Sequence, residues 1–433
     1  MSLQNAADVT RGDARVGRRA VIAASAGNAL EWYDFTVYAL FAVYIAKNFF
    51  PGADQTTELI KAFLAFGLGF VIRPLGAIVL GSYADHAGRK AALTLTIFLM
   101  AVGTLVIAAA PTYAAIGIGA PILLLVGRVL QGFSAGGEVG GAAAFLVEHA
   151  PADKKGRYAS WLQASMAMSN IIGALVAFAV TSLLTQDQIG DWGWRIPFII
   201  GLAIAPIGMW MRRTLDETPH FKLEIERHYK TSRAQRAPLT AVFSEFPREL
   251  IKGVGMCVLW TVSTYTLVIF MPIYVQRTFG ITGSQAFMAA LIGNVFMVVT
   301  CVFAGALSDK IGRKKILVGA AIILALGTHP LLWLVKASPT LEVMIFVQVT
   351  FCIITALFVG VAPAALSEIF PTRVRSTGMS LCYNTATTIF GGFAPAILTW
   401  LSQQGGIYAP AWYVTVAAIC ALVSLATFKT STE

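Results

Sequence analysis

Charge is what this chain has least of. Only 12% of its 433 residues are Asp, Glu, Lys or Arg, about half the share found in ordinary soluble domains. That deficit excludes a soluble enzyme, a disordered chain and a reader of nucleic acid, each of which needs a charged surface. Cysteine is scarce as well: Cys257, Cys301, Cys352, Cys382 and Cys420 all lie in apolar stretches, with neither CxxC spacing nor a paired framework. A thiolate metal site and a disulfide scaffold are therefore excluded, and the five are packing residues. The sequence also lacks a phosphate-binding glycine loop, a nucleophile–base group and a cluster of metal ligands, so nothing supports an enzymatic reading. The polar first 17 residues lead into a span that carries charged and aromatic side chains, without a small-residue cleavage site, and a cleaved signal peptide is not expected.

What the chain has in quantity is apolar length. Hydrophobic residues make up 57% of it, and a bilayer core of about 30 Å takes roughly 20 apolar residues per helix. Suitable runs fall at 19–48, 59–83, 91–110, 120–147, 157–184, 193–213, 249–278, 286–307, 314–335, 341–369, 374–401 and 409–428. Cations set the orientation of such a bundle. With the N-terminus inside, 25 of the 32 Lys and Arg residues face the cytoplasm, nine of them between Arg212 and Lys252. Lys47, Lys61, Arg195, Arg277 and Lys336 face outward, and Arg73 and Arg128 lie within the membrane. The sequence thus predicts an all-α integral membrane protein with twelve transmembrane helices and both termini cytoplasmic.

The chain repeats itself. Gly81-Ser-Tyr-Ala-Asp85-His-Ala-Gly88-Arg89-Lys90 returns as Gly305-Ala-Leu-Ser-Asp309-Lys-Ile-Gly312-Arg313-Lys314, and Glu148-x-x-Pro151 returns as Glu368-x-x-Pro371. Two motifs recurring in order describe a duplicated six-helix unit. The expected division is an N-terminal six-helix bundle over 1–213, a cytoplasmic linker over 214–248 and a C-terminal six-helix bundle over 249–433. The linker mixes Glu224 and Glu226 with Arg227, Lys230, Arg233 and Arg236, as a segment lying on the membrane surface does.

These motifs carry a resemblance. A GxxxDxxGRK loop after the second span, repeated after the eighth, resembles the signature of the major facilitator superfamily. Gly27-Asn-Ala-Leu-Glu-Trp-Tyr-Asp-Phe35, Arg73-Pro74-x-Gly76 and Gly127-Arg-Val-Leu-Gln-Gly-Phe-Ser-Ala-Gly-Gly-Glu138 resemble its metabolite:proton symporter family. That family includes carriers of citrate and related carboxylates, 2-oxoglutarate, shikimate, proline and betaine. Trp192-Gly-Trp-Arg-Ile-Pro-Phe198 and Ile389-Phe-Gly-Gly-Phe-Ala-Pro-Ala396 look most like the citrate-type members, whereas Glu31-Trp-Tyr-Asp-Phe35 is the more general family form.

Five ionisable residues fall inside the spans: Glu31, Asp34, Arg73, Arg128 and Glu138. Each costs at least a few kcal/mol if it faces lipid, so they are expected to face an interior cavity and to pair. Three carboxyls against two guanidiniums leave one carboxyl without a buried counter-ion. Burial without a counter-ion favours the neutral acid, which makes Asp34, then Glu31, then Glu138 candidates to carry the coupled proton. Arginine keeps its charge, so Arg73 and Arg128 are candidates to bind an anionic substrate, with Asn28, Tyr38 and Gln131 in the same half. The second half offers neutral candidates, chiefly Tyr265, Gln348 and Asn384, to orient the substrate by hydrogen bonds.

Gly81, Asp85, Gly88 and Arg89, their repeats Gly305, Asp309, Gly312 and Arg313, and Glu148 with Glu368 form an expected conformational latch. A carboxylate at a helix end can cap a neighbouring helix or pair with arginine, and the resemblance implies that such contacts lock the two bundles on the cytoplasmic side. The resulting expectation is a secondary active transporter of the cell inner membrane, importing a small organic carboxylate, most simply citrate, with protons. Its partners would be that anion, protons and the lipid bilayer, with no nucleic acid. No metal or cofactor is expected, since the proton gradient supplies the energy, and the working unit would be a monomer. A carrier of proline or betaine and a transporter-like nutrient receptor are the alternatives. Some osmolyte carriers bear a long C-terminal coiled coil, whereas this chain runs about five residues past its last span.

Overall fold

In lipid, every backbone N–H and C=O must find an internal partner. The computed structural model describes residues 25, 28–29, 31–52, 54–87, 89–148, 150–213, 238–371, 374–404 and 406–427. For 81–82, 84–87, 89–93, 137–138, 204–205, 207–213 and 238 it describes the backbone alone. Among the described residues the chain is all helix and has no strand.

The first half comprises α1 (31–40), α2 (Ala42–Phe49), α3 (Gln55–Ala87), α4 (Arg89–Ala109), α5 (Gly119–Ser134), α6 (Glu138–Glu148), α7 (Lys155–Leu183) and α8 (Ile196–Arg213). The second comprises α9 (Pro247–Ser263), α10 (Met271–Phe279), α11 (Gly283–Ile311), α12 (Arg313–Ala337), α13 (Leu341–Val359), α14 (Ala362–Ile369), α15 (Arg375–Ala386), α16 (Ala394–Gln403) and α17 (Ala409–Ala426). Eight helical stretches among the described residues are long and apolar enough to cross a membrane. Thr94–Ala109 and Gly193–Ala203 are apolar but shorter, and 374–401 is helical but interrupted by a wide turn. Large side chains such as Leu326, Val299, Trp333 and Val423 stand exposed around the bundle, as a lipid-facing surface requires. Residues 214–237, most of the expected linker, lie outside the described residues.

Two features of the helices bear on function. A helix wound one residue wider than the α-helix spans Thr264–Phe270 between α9 and α10, and a second spans Thr387–Gly391 between α15 and α16. Such π-turns concentrate at functional sites. The halves meet along antiparallel α7 and α11. Gly156 faces Gly305 at one end, Asn170 Nδ2 donates to Asn294 Oδ1 at 3.3 Å in the middle, and Thr181 faces Gly283 at the other. They also meet where α3 packs on the second π-turn, whose Thr388 hydroxyl donates to the Phe70 carbonyl at 2.9 Å.

Candidate functional site

Glycine places the two membrane arginines. A Cβ at Gly76 would overlap the Phe133 carbonyl, one at Gly132 the Gly69 carbonyl, and one at Gly136 the carbonyl of Arg73 itself. Helices α3 and α5 therefore cross with their backbones touching, which only small residues permit. The motifs Arg73-Pro74-x-Gly76 and Gly127–Glu138 are the two sides of this crossing, and it buries Arg73 and Arg128 completely.

Among the described residues, neither arginine pairs with a carboxylate. The Arg73 guanidinium carbon lies 5.3, 4.6 and 4.5 Å from the ring centroids of Trp32, Phe35 and Phe70, and none of its three nitrogens has a hydrogen-bond partner among the described residues. Arg128 sits 4.8, 4.5 and 5.0 Å from the rings of Phe35, Tyr38 and Phe66. Its Nη1 donates to Gln131 Oε1 at 2.8 Å and its Nη2 to the Phe66 carbonyl at 3.0 Å. Aromatic faces carry negative quadrupole density, worth roughly 2 kcal/mol or more per desolvated cation–π contact. The rings thus stand where counter-ions were expected.

The carboxyls go elsewhere. Both oxygens of Glu31 are buried without a hydrogen-bond partner. Asp34 Oδ2 accepts from the Thr104 hydroxyl of α4, while its Oδ1 has no partner and lies against Gly201 of α8, where a Cβ would come within 2.7 Å. Arg128 lies within electrostatic reach of Asp34 without a direct bond to it. Gln131 joins the two groups: its Oε1 takes the Arg128 hydrogen bond and its Nε2 donates to Thr104 Oγ1 at 3.0 Å. Glu138 begins α6, and its side chain lies outside the described residues.

The neutral candidates separate into braces and free groups. Asn28 Nδ2 donates to the Leu162 carbonyl (3.1 Å) and Ser165 Oγ (2.8 Å), and the Tyr38 hydroxyl donates to the Ala62 carbonyl (3.0 Å). These groups tie α1 and its extension to α7 and α3. Asn384 Nδ2 donates to the Gly136 carbonyl at 3.0 Å, joining the halves. Gln348 Nε2 donates to the Leu267 carbonyl at 3.0 Å, but its Oε1 is buried and unpartnered. Tyr265, in the first π-turn, packs its ring 5.4 Å from Phe70 and 6.3 Å from Trp32 and keeps a buried hydroxyl without a partner. The structure therefore brings Arg73, Arg128 and Tyr265 around one aromatic cluster built from both halves, and joins Asp34 to Arg128 through Thr104 and Gln131.

Sequence reasoning missed Thr104 and the rings of Phe35, Phe66 and Phe70. A signal existed for the threonine: it follows Gly103, whose Cβ would meet the Gly127 carbonyl at 2.8 Å, so a close crossing of α4 and α5 delivers it. The phenylalanines recur along α1 and α3, where an apolar sequence hides them among lipid-facing neighbours.

At one end of the bundle, charged groups join the halves. Asp309 Oδ1 accepts from Gly156 N at 2.7 Å and its Oδ2 from Arg157 N at 2.9 Å, capping the start of α7. Arg313 Nη1 lies 3.7 Å from Asp309 Oδ1, and its Nε donates to Glu368 Oε1 at 2.6 Å. Arg375 Nη1 lies 3.3 Å from Glu148 Oε1, across the interface. Gly312 turns the chain between α11 and α12 at a φ of 94°, which glycine adopts without strain. Gly81 and Asp85 lie in α3 and Arg89 begins α4, but their side chains, together with Gly88 and Arg373, lie outside the described residues.

Comparison with known proteins agrees with this architecture. The model of the Major Facilitator Superfamily matches residues 24–335 and 262–433. The chain is 37% identical over 416 residues to the citrate-proton symporter of Klebsiella pneumoniae, covering 96% of this chain and 92% of that protein. It is 32% identical over 431 residues to the proline/betaine transporter of Escherichia coli strain K12, covering 98% and 85%. Its fold matches the crystal structure of a D-xylose-proton symporter with a TM-score of 0.75 over 96% of this chain and 98% of that one, at 17% identity. These relatives are transporters, not enzymes, and this chain belongs to the major facilitator superfamily.

Proposed function

We propose that this chain is a proton-coupled symporter that imports a small organic carboxylate, citrate or a related di- or tricarboxylate, by alternating access of its two halves. The observation that carries this reading is Arg73. Its guanidinium is fully buried, its nitrogens have no acceptor among the described residues, and three aromatic rings hold it in place. A permanently charged, planar donor in that state recognises carboxylate by charge-assisted hydrogen bonds. Arg128 adds a second positive charge to the same cluster, which favours a substrate with more than one carboxylate. Tyr265 and Gln348 Oε1 bring hydrogen-bonding capacity from the other half. The citrate-proton symporter relative, matched over nearly the whole chain, supports the same substrate class.

In this reading Asp34 carries the proton. Twelve helices cross the cell inner membrane as one functional monomer, and both termini face the cytoplasm. No cofactor takes part, because the proton gradient supplies the energy. The end bearing Asp309, Arg313, Glu148 and Glu368 is the cytoplasmic face, and its contacts latch the halves together there.

One observation favours a second substrate class: the proline/betaine transporter is a relative over 98% of the chain. A zwitterion would place its single carboxylate on Arg73. A thermal-shift screen of purified protein against citrate, other carboxylates, proline and betaine separates the two, followed by uptake into proteoliposomes with an acidic exterior. Stabilisation and pH-driven uptake of a di- or tricarboxylate are expected. Response to betaine or proline alone would establish the osmolyte reading instead.

A further inference from the structure

Thr104 stands between the proposed proton carrier and an arginine of the proposed anion site. Its oxygen lies within hydrogen-bonding distance of three groups: Asp34 Oδ2, the Met100 carbonyl at 3.0 Å, and Gln131 Nε2 at 3.0 Å. Gln131 is in turn held by Arg128 Nη1 at 2.8 Å. All four side chains are buried, so no bulk water competes for these positions.

A hydroxyl has one proton to donate. Asp34 and the Met100 carbonyl both lie where they could accept it, and only one can do so at a time. When Asp34 is ionised, the stronger acceptor is the carboxylate, so Thr104 donates to Asp34 and accepts from Gln131. When Asp34 is protonated, the acid becomes a donor. Its O–H then points at Thr104 Oγ1, and the hydroxyl proton turns to Met100. The oxygen now accepts two hydrogen bonds, from Asp34 and from Gln131, where before it accepted one.

We propose that Thr104 is a positioning residue that senses the protonation of Asp34 and transmits it through Gln131 to Arg128, so that protonation and anion affinity change together. This rests on the transport reading above and names the residue through which its two substrates are coupled. Among the described residues, the groups facing Asp34 leave little else for the task. From α4 there is Thr104; from α8, Gly201, which has no side chain; from α5, Arg128, at electrostatic range. Its own helix supplies Tyr33, whose hydroxyl donates to the Pro197 carbonyl at 2.9 Å, and Glu31 three residues earlier. The rival route is the direct field between Asp34 and Arg128, which needs no hydroxyl.

The test compares wild type with Thr104→Val, which keeps the shape and removes the hydroxyl, and Thr104→Ser, which keeps the hydroxyl. Each is reconstituted as the full chain into proteoliposomes and assayed with labelled citrate, proline and betaine. The substrate that wild type accumulates under a pH gradient provides the readout. Uptake of proline or betaine only would therefore overturn the carboxylate reading while leaving this test in place. Wild type that accumulates none of the three is assayed with the carboxylate that stabilises it most in the thermal-shift screen, and failure to accumulate that one as well overturns the carboxylate reading and this proposal with it.

For coupled binding, the wild-type KM should rise by up to ~tenfold per pH unit above the carrier's titration range. Thr104→Val is expected to flatten that slope while retaining exchange at equal pH, and Thr104→Ser to restore it. A Val variant that exchanges normally and keeps the wild-type slope overturns the proposal in favour of the direct field. Should Thr104→Val fail to reach the membrane, Thr104→Ala removes the same hydroxyl and is read in the same way: a flattened slope supports the relay and an unchanged slope overturns it.

Discussion

Arg73 and Arg128 share one aromatic ring. Their guanidinium carbons lie 4.6 and 4.8 Å from the centroid of Phe35, so two permanent positive charges from different helices are held around a single uncharged side chain. Like charges so close inside a membrane repel each other strongly. A polyvalent anion relieves that repulsion more than a monovalent one, which links the geometry to the proposed substrate class.

The first prediction concerns this pair. Arg73→Ala should leave the protein in the membrane, because no group among the described residues depends on the Arg73 guanidinium for a hydrogen bond. It should still raise the KM for the carboxylate by about 10- to 100-fold or abolish uptake, since charge-assisted hydrogen bonds are worth about 1.5–3 kcal/mol each. Arg73→Lys should rescue poorly, because an ammonium lacks the planar fork and stacks less well on aromatic faces. Uptake titrations on reconstituted protein check both. Normal transport by the Ala variant would remove Arg73 from the site.

Tyr265 makes a milder claim. Its hydroxyl is buried and unpartnered beside Phe70, so Tyr265→Phe should cost the fold nothing and could stabilise it slightly. If the hydroxyl orients substrate, KM should rise by about two- to tenfold, the net value of one neutral hydrogen bond. Thermal unfolding measured with and without substrate distinguishes the two effects: the unliganded variant should match wild type or exceed it, while its shift on adding substrate shrinks.

If the contacts of Asp309, Arg313, Glu148 and Glu368 latch the halves as proposed, breaking them changes the balance of states without changing the binding site. A Cβ on Gly305 would sit 2.5 Å from the Gly156 carbonyl and 2.6 Å from Ser160 Cβ, so Gly305→Val should force this end of the α7–α11 interface apart. Asp309→Asn removes the charge that caps α7 and should weaken the same contact by about 1 kcal/mol. Both should slow uptake and increase labelling of a cysteine introduced nearby, with the reagent applied from the face that bears Asp309. Unchanged labelling with unchanged rates would leave these residues with a role in topology alone.

The arginines, the acidic residues of α1 and the duplicated loops were legible in the sequence because charge inside an apolar run is rare and repeats are conspicuous. The glycines of the two arginine motifs were legible as motifs, but their purpose, the touching backbones of α3 and α5, is a matter of helices distant in sequence and was not. The partners were not legible. Counting charges suggested ion pairs, whereas the chain surrounds its guanidiniums with Trp32, Phe35, Phe66 and Phe70, residues that an apolar sequence contains in abundance. Thr104 escaped for the same reason, since a hydroxyl in a membrane helix most often bonds its own preceding turn. The π-turns at Thr264–Phe270 and Thr387–Gly391 have no composition that separates them from ordinary helix.

Proton coupling gives the sharpest prediction. If Asp34 must be protonated for the anion to load, uptake falls as the outer pH rises through the titration range of that carboxyl, because the loaded form needs its proton. Asp34→Asn is permanently neutral, and its amide N–H can donate to Thr104 Oγ1 as the protonated acid does. It should therefore bind substrate and exchange it across the membrane at rates within about tenfold of wild type, with the pH dependence gone. It should not accumulate substrate against a gradient, since no group remains to release the coupled proton inside. Counterflow and pH-driven uptake measured side by side in proteoliposomes separate these activities. An Asn variant that still concentrates substrate under a pH gradient would move the proton to Glu31, whose buried and unpartnered oxygens make it the next carboxyl in line; Glu31→Gln would then show the uncoupled exchange that Asp34→Asn did not.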